Sequence, residues 1–308
     1  MSAEYATAIV ASTAGAATPL ALAALGELVT ERAGVLNLGV EGMMLVGAIA
    51  GFAAGVHSGS LVVAFTAAMA AGVAMSLIFG VLALTLQTNQ VATGLALTLF
   101  GVGLSAFVGR AYAGQPIPGL QAISIPVLSE LPIIGPLLFR FDPLVYGTLV
   151  LFVATQWFLY RSRGGLLLRA VGESPEVAHS LGYPVLVVRY LSVMFGGAMA
   201  GLAGAYLSCA LTPMWTEGLS AGRGWIALAL VVFATWKPWR ALLGAYLFGG
   251  VTILQLHAQG SGIAVPSEFM SMLPYVATIV VLVAICRNPR TILLNQPGSL
   301  GRPFHADT

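Results

Sequence analysis

Glu27, Glu31, Arg32, Asn37 and Glu41 crowd into one stretch, Gly26–Gly47, between two runs that are otherwise apolar. A charged side chain at the centre of a bilayer costs about 2.5–3.5 kcal/mol on insertion scales, so such groups face a cavity, a partner or water. Glu27 and Glu31 stand four residues apart and share a helix face if the first helix continues that far. Asn37 and Glu41 repeat that spacing inside the second apolar run, with Gly34, Gly39 and Gly42 around them. Glycines at that density permit a broken helix that aims backbone N–H groups and these side chains into a pathway for a polar solute. The alternative is that Asn37 and Glu41 only satisfy the backbone groups of the break. Glu41 or Glu27 would also serve as the coupling site of an ion- or proton-driven secondary transporter.

Three further stretches carry polar or aromatic groups. In Gln87–Gly94, Asn89 and Gln90 stand before a run that begins near Thr93. With Thr93 they either cap that run or line the inner mouth of a pathway. Trp225 opens an apolar run that Trp236, Lys237, Trp239 and Arg240 close. Aromatic residues with basic neighbours are interfacial anchors, and a ring there could also stack on a planar substrate. Gly197 and Gly201 form a small-xxx-small pair suited to close helix packing. The chain lacks a phosphate-binding Walker loop, so it is not expected to hydrolyse ATP. His57, His179, His257 and His305 are scattered, and Cys209 and Cys286 have no metal or redox spacing. Nothing here resembles a catalytic constellation, which argues against a membrane enzyme.

The chain that must position these groups is 58% hydrophobic and 8% charged, against roughly 25% charged in a soluble domain. Its solvent is lipid. A net charge of +2 without a basic aromatic cluster gives no reason to expect nucleic acid. Spans of about 17–25 apolar residues are expected at 8–27, 34–56, 60–86, 91–109, 143–160, 186–208, 219–236, 240–257 and 269–286. The fold expected is all-α: one polytopic domain over 1–308 with nine transmembrane helices, or ten if one run is merged. The N-terminus has no basic leader segment.

The polar island at 161–189 interrupts the pattern. Within it, Ser174 suits an N-cap, Pro175 the first helical position and Glu176 the first turn. Gly182 suits the left-handed residue past the end, and Pro184 stops continuation. So short a helix is not stable alone in water and calls for a docking surface, unless the segment is a plain solvated connector. With the island and the C-terminal segment inside, ten basic residues lie on the cytoplasmic side. Only Arg110, Arg140 and Arg223 lie outside. That satisfies the positive-inside rule with the N-terminus outside and the C-terminus cytoplasmic. The first four and last four spans then run in opposite senses, an inverted plan common in transporters.

Three stretches together resemble the permease subunits of ABC importers in the simple-sugar and nucleoside branch, which is related to the branched-chain amino acid permeases. The first is GELVTERAGVLNLGVEGMMLVGA at 26–48. The second, LRAVGESPEVAHSLGYPV at 168–185, is similar to the coupling-helix segment, with Gly172, Glu173, Pro175, Ala178 and Gly182 on its pattern. The third is GRGWIALALVVFATWKPWRALLGAYLFG at 222–249. The sequence departs from that family at Thr235–Trp236–Lys237, where a glycine and a small polar residue more often precede the proline. The resemblance implies a translocation pathway for nucleosides or simple sugars, in the inner (plasma) membrane of a bacterium. It implies cytoplasmic ATPase subunits that use ATP and magnesium, with no cofactor on this chain. It implies a second permease subunit, identical or not, and an extracytoplasmic binding protein or lipoprotein. The ATPase would grip Gly172, Glu173, Ser174, Pro175, Glu176, Ala178, Leu181 and Gly182.

Overall fold

The computed structural model describes residues 3–123, 139–260 and 295–305, with scattered positions between 269 and 283. Most of the span expected at 269–286, and the middle of the long loop before residue 143, lie outside the described residues. The described part is all-α apart from one isolated bridge, Pro116 to Met214.

The helices are α1 (Ala3–Arg32), α2 (Val40–Ser58), α3 (Leu61–Gly80, prolonged by a π-turn at Val81–Thr85) and α4 (Gln90–Gly109). They continue with α5 (Pro143–Arg161), α6 (Arg163–Glu173), α7 (Pro175–Ser180) and α8 (Val185–Tyr206). The last two are α9 (Arg223–Phe233) and α10 (Pro238–Gly260). Seven of these, α1 to α5, α8 and α10, are long and apolar enough to cross a membrane. The chain is a multi-pass membrane protein. Large apolar side chains such as Leu99, Phe107 and Val153 point outward, as on helices whose solvent is lipid.

Two expected spans differ in the structure. The second helix begins at Val40, not near residue 34, because Ala33–Gly39 is non-helical. The seventh shrinks to the eleven residues of α9. Gly218, Ala221 and Gly222 before it adopt left-handed conformations, and so do Thr235 and Trp236 after it. The turn at each end consumes residues that hydropathy alone assigns to a span.

α8 is the centre of the packing and lies against α1, α2 and α3. The expected small-xxx-small pair makes this possible. A β-carbon on Gly197 would overlap Gly72 and Ser76, one on Gly201 would overlap Ala68, and one on Gly204 would overlap Met44. Backbones therefore touch directly along this seam. The polar island holds two helices where the sequence suggested one: Ser162 caps α6 by accepting from Gly165 N–H (2.9 Å), ahead of α7.

Candidate functional site: a broken helix and a capped surface helix

α1 ends at Arg32 and the chain turns back at Gly34, whose φ of +83° is natural only for glycine. From there it runs without helical structure beside α1 and α4. Leu36 N–H donates to Gln90 Oε1 (2.8 Å) and Asn37 N–H to Glu27 Oε1 (3.1 Å). Thr98 Oγ donates to the Leu38 carbonyl (2.9 Å). Thr98 lies eight residues into α4, about 12 Å from its start at 1.5 Å per residue. The break thus carries α2's first turn well inside the bundle. Asn37 does not sit inside a helix: its Oδ1 accepts from Gly39 N–H (2.9 Å) and closes the last turn before α2.

Glu41 stands in the first turn of α2 and faces the start of α9. One carboxylate oxygen accepts from Ser220 Oγ (2.6 Å) and Gly222 N–H (2.9 Å); the other accepts from Gly224 N–H (2.6 Å). The N-termini of two interrupted helices therefore meet at one carboxylate, which neutralises free N–H groups and complements α9's dipole. A β-carbon on Gly224 would meet the Glu41 backbone at 2.6–2.7 Å, so glycine is what lets them meet. Glu27 lies one turn deeper than Glu31. Its Oε2 has no hydrogen-bond partner among the described residues.

At the other end of α9, Trp236 is buried, and its indole N–H donates to Glu31 (2.5 Å). Arg32 donates twice to the Trp236 carbonyl, from Nη2 (2.8 Å) and Nε (3.1 Å). These bonds hold Thr235 (φ +50°) and Trp236 (φ +54°) in a region where bulky residues are strained.

The other expected pathway residues divide. Gln90 is buried and supports the break through Leu36, while its neighbour Asn89 is exposed and caps α4 by accepting from Ala92 N–H (3.0 Å). Thr93 donates to the Asn89 carbonyl (2.8 Å) and pairs with Thr88 Oγ (2.7 Å), so both belong to that cap. Trp225 is 39% exposed on α9, next to Gly224. The structure brings Asn37, Glu41 and Gln90 around one break, and gives Asn89 and Thr93 bonds within the cap of α4. It adds Ser220, Gly224 and Thr98, whose partners are too distant in sequence to be foreseen.

α7 has the ends expected of it. Pro175 opens it, Ser174 Oγ accepts from Val177 N–H (3.5 Å), and Gly182 follows with φ +83°. Ala178 is buried against Val171, Val185 and Phe304. Val177, Leu181 and Tyr183 are exposed, at 59%, 71% and 46%. Gly172 packs on the Arg32 carbonyl, so the end of α6 touches the end of α1. Glu173, at the end of α6, and Glu176, in the first turn of α7, are exposed.

Bundle, break and surface helix together describe a membrane permease. Residues 9–282 match the family described as branched-chain amino acid transport system / permease component, and the chain belongs to that family. Among its relatives is a putative glucose ABC transporter permease of Haloferax volcanii, 41% identical over 99% of both chains. A guanosine ABC transporter permease of Bacillus subtilis is 33% identical over 89% of this chain and 90% of its own. A nucleoside ABC transporter permease of Lactococcus lactis is 31% identical over 86% of this chain and 88% of its own. No solved structure matches the chain.

Proposed function

We propose that this chain is the permease subunit of an ATP-driven ABC importer for nucleosides or simple sugars, and that α7 is the helix gripped by its ATPase. The observation that carries this reading is α7 itself: six residues, capped at both ends, with Val177, Leu181 and Tyr183 turned outward. A helix this short gains nothing from standing free in water, and exposed aliphatic and aromatic side chains beside Glu173 and Glu176 suit a groove on a soluble partner. The substrate class rests on relatives that carry guanosine, nucleoside and glucose in their names. The ATPase uses ATP and magnesium and supplies the hydrolytic chemistry; this chain supplies the pathway. A second permease subunit completes the pathway and an extracytoplasmic binding protein delivers the solute.

Five long helices before the island support a position for α7 on the face opposite the N-terminus. With α7 in the cytoplasm, the N-terminus is outside and residues 161–189 form the cytoplasmic coupling segment of a single domain. The test is reconstitution with the cognate ATPase, partner permease and binding protein. ATP inside proteoliposomes is expected to drive uptake of labelled guanosine or glucose. Uptake of neither, from a complex that hydrolyses ATP, would refute the substrate class. Failure of the ATPase to copurify would refute the permease assignment.

A further inference from the structure

The segment 295–305 reaches four parts of the chain that are far apart in sequence. Ser299 donates to the Gly172 carbonyl twice, from its N–H (3.0 Å) and from Oγ (2.7 Å). Gly172 is the penultimate residue of α6, two before the cap of α7. Gly301 N–H donates to the Gly34 carbonyl (3.2 Å), at the start of the break. Phe304 is buried among Val171, Ala178 and Val185, its ring edge-on to His179 at 5.6 Å. Its carbonyl accepts from Gln87 Nε2 (3.0 Å), in the turn between α3 and α4.

Arg189, near the start of α8, ties these contacts together. It is 1% exposed, and the bonds it makes go to neutral oxygens: Ala33 O (3.2 Å), Arg302 O (3.3 Å) and Ser299 Oγ (3.1 Å). A guanidinium offers five donors in a rigid fork and no acceptor, so it fixes the relative positions of whatever it binds. One of these oxygens belongs to the break and two to the segment 295–305. A plain surface tail would not place a hydroxyl and a carbonyl on a buried cation, nor a phenyl ring under the helix that faces solvent.

Resting on the permease reading above, we propose that residues 295–305 are a positioning strap. Ser299 and Phe304 tie α7 and the end of α6 to the Ala33–Gly39 break, so that a push on α7 reaches the mouth of α2. Without the strap, α7 lies between two loops, the Ser174 cap and the Gly182–Pro184 turn, which can absorb its movement. With it, α7 rests on Phe304, Phe304 is continuous with Gly301, and Gly301 is bonded to Gly34.

The experiment uses the reconstituted transporter, with Ser299→Ala and Phe304→Ala made separately. ATPase recovered per permease, basal ATP hydrolysis, and guanosine or glucose uptake per ATP hydrolysed are measured together. Assembly and basal hydrolysis are expected to hold while uptake per ATP falls about fivefold or more, the lower end of ordinary coupling between sites. Amide hydrogen exchange of residues 33–40 supplies a readout that does not depend on Phe304→Ala folding. ATP binding is expected to change it in the wild type and not in Ser299→Ala. An intact complex in which Ser299→Ala keeps both the ATP response and full uptake per ATP overturns the strap alone. An ATPase that does not bind even the wild type brings down the permease reading and the strap with it.

Discussion

Glu41 shows how one carboxylate can fix the meeting of two helices. Of its three donors, Ser220 Oγ and Gly224 N–H are buried and Gly222 N–H is partly so, and Glu41 itself is 6% exposed. Glu41→Ala leaves buried donors unpaired, at a cost of about 3 kcal/mol or more, since each unsatisfied buried group costs roughly 1–3. A thermal melt in detergent is expected to show the loss. Glu41→Gln retains one acceptor but turns an N–H₂ toward donors, so it is expected to lie between wild type and Glu41→Ala. Gly224→Ala is expected to match Glu41→Ala, because its β-carbon would meet the Glu41 backbone rather than a movable side chain. The sequence made the polar cluster at 27–41 conspicuous, and the expectation of a break followed from its glycines. Which groups Glu41 bonds could not be read there, because they lie some 180 residues away. Its described bonds join the first turn of α2 to the start of α9.

At the scale of elements, α7 was the most legible. Its signals are local: a cap serine, a proline at the first turn, a glycine past the end and a proline beyond, each acting within a residue or two. α6 escaped notice because its cap, Ser162, follows directly on the last residue of α5, inside a polar island whose clear end signals all lie at 174–184. α9 was overextended because hydropathy does not register left-handed turns, and Thr235 and Trp236 are not residues from which such turns are expected. Leu181→Asp tests α7 as a docking element. The side chain is 71% exposed, so folding is expected to change by no more than about 0.5 kcal/mol. Recovery of the ATPase with the permease is expected to collapse. Normal recovery, with ATP-driven uptake intact, would place the ATPase contact elsewhere.

For the whole molecule, composition indicated a chain in lipid and the apolar runs an all-α bundle, and seven long helices match expected crossings. The rival plan, a carrier driven by an ion gradient through Glu27 or Glu41, gives a different whole-molecule result. Uptake by the reconstituted complex is expected to require internal ATP and to persist when ionophores collapse sodium and proton gradients. Uptake driven by a gradient without ATP would favour the carrier.

The glycine seam has a mechanical consequence. Where Gly197 and Gly201 meet Gly72, Ala68 and Gly47, no side chain lies between the backbones to change rotamer and lubricate a slide. α2, α3 and α8 must therefore travel as one plate. An apolar groove of about 460 Å³ separates α8 from α5 and α6, lined by residues such as Leu151, Phe158, Leu191 and Phe195. Loose, lipid-like contacts of that kind shear easily. The bundle is thus built as a stiff slab beside a compliant joint, and a cysteine bridge across the joint should arrest the machine where one within the slab would go unnoticed.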